Sequence, residues 1–340
     1  MQSNVCSTSI TESVSQIIEA LKQGALQLAR LLETREIQYS SHANASGDNQ
    51  LQIDIAADNL FGKILSSLSI KGFASEEREG VVLCDMTCFQ KFDSNLQSDD
   101  SLQRDKQDNI LQGALLQELL SSNVLIQSST IYTLTMQDLL VAFDPLDGSS
   151  LMDSNLSIGS IFGIYAHTFA PQNLIASLYF LYGPRLELVV AKDSQSLHYL
   201  YNPSTGTWHF IQELKLQQKG KINATGGTQK YWDIKHFELV QSFFREGYRL
   251  RYSGGMVPDL HQILCKGGGI FSYPATSDSP TGKLRKLFEV YPFALIFEYA
   301  GGGAIDGKTR LLDGDVKSIH ESTPCFFGSH EEIQRVREFV

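Results

Sequence analysis

The chain has 340 residues, 42% of them apolar and 19% charged, and a net charge of −10. That length carries a large core and suggests two domains. The negative balance, with no basic block, argues against a nucleic-acid-binding surface. The start, Met1-Gln2-Ser3-Asn4-Val5-Cys6, has no basic or apolar leader character, and no run of about 18 apolar residues occurs. Neither a signal peptide nor a membrane association is therefore expected. The end, Glu338-Phe339-Val340, carries no peroxisomal address, and the expected location is cytoplasmic, with an organelle left open. Five scattered cysteines (Cys6, Cys84, Cys88, Cys265, Cys325) fit a reducing compartment without a disulfide framework. Cys84 and Cys88 lack the further ligands a zinc site needs.

Ser9 and Glu12 have capping-box spacing, and Ile10, Val14, Ile17, Leu21, Leu28 and Leu32 predict an amphipathic helix over residues 10–34. After a polar stretch containing Asp48, Ile53, Ala56, Ala57, Leu60, Phe61, Ile64 and Leu65 predict a second helix with Asp54 in its first turn. Phe73-Ala74-Ser75-Glu76-Glu77 is an acidic stop after a short helix and turn. Residues 79–137 read as a polar, uneven insertion, with short strands over Val81–Cys84 and Ile131–Leu134 and a helix over Ile110–Leu120.

Leu139-Leu140-Val141-Ala142-Phe143 then predicts a buried strand that stops at Asp144-Pro145-Leu146-Asp147, where Pro145 ends ladder pairing. Gly148-Ser149-Ser150 is a turn whose N–H groups suit an anion; read alone, an Asp-x-x-Asp-Gly segment is more often just an Asp-capped turn, and the longer string through Ser150 shifts the balance. A glycine-rich buried strand follows at Asn155–Ile164. Short strands at Leu186–Ala191, His198–Tyr201 and Trp208–Ile211 imply an antiparallel meander. Further on come a helix over Asp233–Glu246 ended by Gly247, a strand at Tyr248–Tyr252, a turn at Gly254-Gly255, a helix over Val257–Cys265 and a strand at Ile270–Tyr273. A long helix is expected from Lys283, interrupted at Pro292 and closed by Gly301-Gly302-Gly303. Strands and helices mix without βαβ regularity, which predicts a layered α/β or α+β body.

The acidic candidates are Asp48, Asp54, Glu76, Glu77, Asp144, Asp147 and Glu289. Hard dications take a few carboxylates plus substrate phosphate, and so many acids together would repel one another without cations. Arg251, Lys283 and Arg285 are the basic counterpart. Lys283 and Arg285, opening a helix, run against its dipole, which hints at a bound anion. No H-E-x-x-H, G-x-S-x-G, Walker or Rossmann pattern occurs, and Asp144–Ser150 lacks the alternating ligands of an EF-hand. A metal-dependent phosphatase and a catalytically silent binding protein are the two classes left.

Phe143–Ser150 with Ser157–Tyr165, Gly47-Asp48 with Asp54, Ser75-Glu76-Glu77, Tyr182-Gly183-Pro184-Arg185, Arg251-Tyr252, Tyr273-Pro274 and Gly282-Lys283-Leu284-Arg285 with Glu289 resemble the class I fructose-1,6-bisphosphatase superfamily, which includes sedoheptulose-1,7-bisphosphatases. The resemblance covers most of the chain outside 79–137. It implies a layered α-β-α-β-α fold, with a metal-site part over 1–200 and a sugar-phosphate part over 201–340. It implies hydrolysis of a sugar bisphosphate with two or three Mg²⁺ per site, Mn²⁺ being an alternative. By the same resemblance Glu76, Asp144, Asp147, Glu289 and the carbonyl of Leu146 hold metal, joined by Asp48. Glu77 with Asp54 activates water, and Gly148, Ser149 and Ser150 cradle the departing phosphate beside Asp147. Tyr252, Met256, Tyr273, Lys283 and Arg285 hold the sugar and the other phosphate, and Arg251 reaches a neighbouring subunit, implying a homodimer or homotetramer. Thr225-Gly226-Gly227-Thr228 replaces the Asn-Glu-Gly-Tyr segment of fructose-bisphosphatases, and Gly254–Asp259 with Tyr182–Arg185 looks like sedoheptulose-bisphosphatase. Tyr273-Pro274 is a fructose-bisphosphatase trait. The smaller Thr/Gly segment favours sedoheptulose 1,7-bisphosphate, with fructose 1,6-bisphosphate or dual specificity as the alternative. The AMP-site loop and the plastid thiol pair have no match, so neither control is expected.

Overall fold

The computed structural model describes residues 10–33, 39–43, 49–84, 119–120 and 134–339. Asp48, Cys88, the strand expected at Ile131–Leu134 and nearly all of the helix expected at Ile110–Leu120 lie outside the described residues, apart from Leu119, Leu120 and Leu134.

Helices α1 (Ile10–Glu33) and α2 (Gln52–Ser66) follow the expected periodicity. Val14, Ile17, Leu21 and Leu28 of α1 and Ala57, Phe61 and Leu65 of α2 are buried on one face of a large sheet. Backbone strands β1 (Tyr39–Ala43) and β2 (Asn49–Leu51) pair between them. The large sheet holds β3 (Gly72–Ser75), β4 (Val81–Leu83), β5 (Leu139–Asp147), β6 (Ile158–Ala166), β7 (Leu174–Tyr182), β8 (Leu186–Lys192), β9 (Gln195–Asn202) and β10 (Thr207–Glu213). Its order is β10-β9-β8-β7-β6-β5-β3-β4; β8, β9 and β10 form the expected meander, which extends back through β7 and β6 to β5. Among the described strands only β3 and β5 run parallel in it.

A second sheet is ordered β12-β11-β13-β17-β15, from β11 (Ile222–Thr225), β12 (Arg249–Leu250), β13 (Ile270–Tyr273), β15 (Gly303–Ile305) and β17 (Cys325–Gly328). Between the sheets lie helix α4 (Met256–Cys265), a π-helical turn (Lys286–Val290) and helix α5 (Tyr291–Tyr299). Helices α3 (Ile234–Arg245) and α6 (His330–Phe339) cover the outer face of the second sheet through Leu239, Phe243, Ile333 and Val336. The result is the five-layer α-β-α-β-α stack. Each buried strand face alternates with period two: Leu139, Val141 and Phe143 face α1 and α2, while Leu140 and Ala142 face the middle helices.

Two expectations are corrected. β5 does not stop at Phe143 but continues through Pro145 to Asp147. It does so because the β3 ladder ends at Ser75 and Phe143, so the missing Pro145 N–H breaks no bond there. Nor does a helix open at Lys283. Leu284–Arg285 is a short strand, β14, paired with β16 (Ser322–Thr323), and the π turn starts at Lys286. Pro292 then sits at the start of α5, where its missing N–H costs nothing.

Candidate active site

Aspartates three apart on a regular strand point to opposite faces. Here the pairing slips by one residue, from Asp144 opposite Ile161 to Asp147 opposite Gly159. That bulge turns both carboxylates toward the middle layer. The Ser160 hydroxyl donates to the Pro145 carbonyl at 2.7 Å and lies 3.0 Å from the Tyr182 hydroxyl, which pins the bulge. Glu76 arrives on the neighbouring parallel strand, its N–H donating to the Phe143 carbonyl at 3.0 Å. Two strand ends therefore deliver their acids to one edge.

Glu289 comes from the π turn, and its carboxylate accepts the Arg285 N–H at 2.6 Å. The carboxylates of Asp144, Asp147 and Glu289 lie within 4.8 Å of one another, and all three residues are buried. The Arg285 guanidinium stands 3.7 Å from Glu76. The N-terminus of α4 meets Asp147, whose two oxygens accept the N–H groups of Met256 at 3.1 Å and Val257 at 2.7 Å.

Burial, and then Glu76, Asp147 and Glu289, push the Asp144 carboxyl well above its ordinary value. Burial pushes Asp147 up to about 7 against the two helix N–H groups. Burial and Glu76 raise Glu289 likewise. Each raised value says that these acids resist sharing the space as bare anions. A small dication with oxygen preference removes that conflict, and the donor set fits one.

Asp54 is buried in the first turn of α2. Glu77 is half-buried, with its N–H 3.3 Å from the Ser75 hydroxyl. The Glu77 turn is tied to α2 by Arg78, whose guanidinium pairs with Asp58 at 2.9 Å. Gly148 takes a left-handed φ of 76° and starts a 3₁₀ helix at Ser149 and Ser150. A Cβ on Gly148 would come within 3.2 Å of the Gly255 Cα, so the turn packs directly under α4. Tyr252 and Tyr273 both close on Gly226, and Met256 is buried. Arg251 and Lys283 are exposed; the Arg251 guanidinium donates to the Leu250 carbonyl, and the Arg285 guanidinium to the Lys283 carbonyl.

Asp259 was not singled out as a site residue. It is buried, and its carboxylate accepts the N–H groups of Ser253 and Gly254, holding the turn that aims α4 at Asp147. Its place near the start of a predicted helix, just after two glycines, was the available signal.

Two family models match the chain: the fructose-1-6-bisphosphatase N-terminal domain over residues 100–213 and the fructose-1-6-bisphosphatase C-terminal domain over residues 216–340. A fructose-1,6-bisphosphatase class 1 of Helicobacter hepaticus is 46% identical over 326 residues, spanning 96% of this chain and 99% of that protein. One of Campylobacter jejuni is 42% identical over 325 residues, spanning 95% and 98%. Among solved structures, a Leishmania major fructose-1,6-bisphosphatase has a TM-score of 0.78 at 24% identity, covering 98% of each chain. A Toxoplasma gondii chain assigned as a sedoheptulose-1,7 bisphosphatase gives 0.75 at 24% identity, with the same coverage. These last two carry the fold alone.

Proposed function

This chain belongs to the fructose-1,6-bisphosphatase family of sugar bisphosphatases, phosphoric monoester hydrolases, and we propose that it hydrolyses the 1-phosphate of fructose 1,6-bisphosphate. The observation that carries the reaction is the buried cluster of Asp144, Asp147 and Glu289 beside Glu76, at the shared end of two parallel strands. The six-carbon substrate is favoured over the seven-carbon one for two reasons. The curated relatives at 41–46% identity bear the fructose-1,6-bisphosphatase name. Tyr252 and Tyr273 stand so close to Gly226 that even a Cβ there would meet them, so the Thr225–Thr228 segment leaves little extra room at that point.

In this reading Glu76, Asp144, Asp147, Glu289 and the Leu146 carbonyl hold Mg²⁺, with Asp48 as a further ligand. Bound there, the ions supply Lewis-acid stabilisation of the transferring phosphoryl group. Glu77, supported by Asp54, takes the proton of the attacking water. The N–H groups opening the 3₁₀ helix at Ser149 and Ser150 have no intrahelical carbonyl and face the departing phosphate. Tyr252, Tyr273, Met256, Lys283 and Arg285 position the sugar and its second phosphate. Arg251, exposed on one protomer, reaches the site of another in a homodimer or homotetramer. The division into a metal-site part and a sugar-phosphate part follows the same roles. No helix among the described residues is long and apolar enough to cross a membrane, and a cytoplasmic location is part of this proposal.

The test is phosphate release with Mg²⁺, comparing kcat/KM for the two sugar bisphosphates. The six-carbon compound is expected to win by about tenfold or more. Equal values point to dual specificity, and the reverse order restores the sedoheptulose assignment.

A further inference from the structure

We propose that Glu187, His198, His261 and Cys265 form a second metal site, for a transition-metal dication of the zinc class, distinct from the carboxylate cluster. Glu187 lies on β8 opposite Leu200 of β9, and His198 lies two residues from Leu200 on β9, so the Glu187 and His198 side chains share one face. His261 and Cys265 are four apart on α4 and share one side of that helix. The His198 Nε2 stands 2.6 Å and the His261 Nε2 3.2 Å from the same Glu187 oxygen, and the Cys265 Sγ is 3.3 Å from the His261 Nε2. Ligand atoms of His198, His261 and Cys265 all lie within 4.8 Å of one another.

Two imidazoles, a thiolate and a carboxylate are the donors a tetrahedral zinc-type ion takes, at bond lengths of about 2.0–2.3 Å. The 2.6 Å contact is a hydrogen bond through a proton, and it opens by roughly 1 Å when an ion replaces that proton.

The surroundings orient Glu187 and His261 as ligands of a metal site, while the His198 Nδ1 is buried without a hydrogen-bond partner. Arg185 binds the other Glu187 oxygen at 2.7 Å, leaving the inward one for the histidines. The Tyr179 hydroxyl lies 2.8 Å from the His261 Nδ1 and so directs Nε2 into the cluster. Burial and Glu187 push the Cys265 thiol up to about 12, so the metal-free thiol is protonated and metal entry releases its proton. Glu187 and His198 are buried whereas Cys265 is half-buried beside exposed Arg185, which gives a short path from solvent. An ion here fastens the far end of the same helix whose first N–H groups hold Asp147. The proposal does not depend on the identity of the sugar or on catalysis.

The experiment uses the full chain with saturating Mg²⁺ to occupy the carboxylates, titrated with Co²⁺ alone. One equivalent is expected to produce intense tetrahedral visible bands and a thiolate-to-cobalt charge-transfer band, with a rise in Tm. Cys265→Ser removes the charge-transfer band, and Tyr179→Phe weakens Co²⁺ binding about 10- to 100-fold. Mg²⁺-dependent phosphate release and circular dichroism report that both variants are folded. A titration with no thiolate band, or one whose band survives Cys265→Ser, overturns the site and leaves a hydrogen-bonded network only.

Discussion

Asp147 accepts the N–H of Val257 at 2.7 Å across 110 residues of chain, so the end of β5 and the start of α4 meet at one carboxylate. The helix dipole and two N–H groups offset part of the cost of that buried charge, yet burial, with a smaller push from Glu76 and Asp259, still holds Asp147 up at about 7. Asp147→Asn keeps an oxygen for one helix N–H and deletes a like charge. Phosphate release is expected to fall by at least about 100-fold. The Tm in EDTA is expected to stay level or rise, because removing one of several repelling carboxylates relieves the metal-free protein. A thermal melt with and without Mg²⁺ separates the two effects; a large drop in EDTA would show that Asp147 is needed for folding.

Arg285 sits 3.7 Å from Glu76, with only 13% and 15% of the two side chains exposed. It is the neighbouring positive charge that the cluster keeps for itself. Arg285→Met leaves Glu76 facing three other acids. The expected loss is about 1–3 kcal/mol of stability without metal, shrinking when Mg²⁺ is saturating. The half-saturating Mg²⁺ concentration should fall, since a competing cation is gone, while KM for the bisphosphate rises. Urea unfolding in EDTA and in Mg²⁺ checks the first part, and steady-state kinetics the second.

Gly226 is held from both sides, its N–H donating to Ser272 at 2.8 Å and its carbonyl accepting the Trp232 indole N–H at 3.1 Å. A Cβ there would lie 2.5 Å from the Tyr273 ring and 2.9 Å from the Tyr252 hydroxyl. With the backbone fixed, Gly226→Ala must displace the tyrosines. KM is expected to rise about tenfold with a smaller change in kcat, and stability to fall by about 1–3 kcal/mol. Unchanged KM would remove Tyr252 and Tyr273 from the sugar pocket.

Sequence periodicity carried the helices well: α1, α2 and α3 end where the apolar stripes and Gly247 say they should. The spacing of Asp144 and Asp147 pointed to the site, but the bulge that aims both inward depends on Gly159 and Ser160 of another strand. β7, Leu174–Tyr182, was not singled out, because a strand buried on both faces shows no alternation. Leu284, Leu287 and Phe288 mimic a helical stripe, which hid the β14–β16 pair; the Arg285 N–H, which a helix would leave unpartnered there, goes to Glu289. Glu187 and His198 meet His261 and Cys265 only through the packing of α4 on the meander, and the four-residue spacing of the last two was the single local trace.

His236, on the inner side of α3, is buried between the Trp232 and Phe326 rings at 4.7 and 6.0 Å. Its Nε2 lies 3.4 Å from the Thr225 hydroxyl, beside the Thr225–Thr228 segment. Burial lowers its pKa to about 4, only partly opposed by Asp233. The unfolded chain, with an ordinary imidazole near 6.5, therefore binds more protons than the folded one between those two values. Stability from this residue is full above about pH 6.5 and drains away as pH falls toward 4. Between pH 7.5 and 4.5 the loss is about 2–3 kcal/mol. Carboxylates titrate in the same window, so the measured quantity is a difference of differences. Urea unfolding at both pH values should show wild type losing about 2 kcal/mol more than His236→Gln. Equal losses in the two proteins would mean that the imidazole is hydrated in the folded state, and that the wall of Trp232 and Phe326 does not exclude water from it.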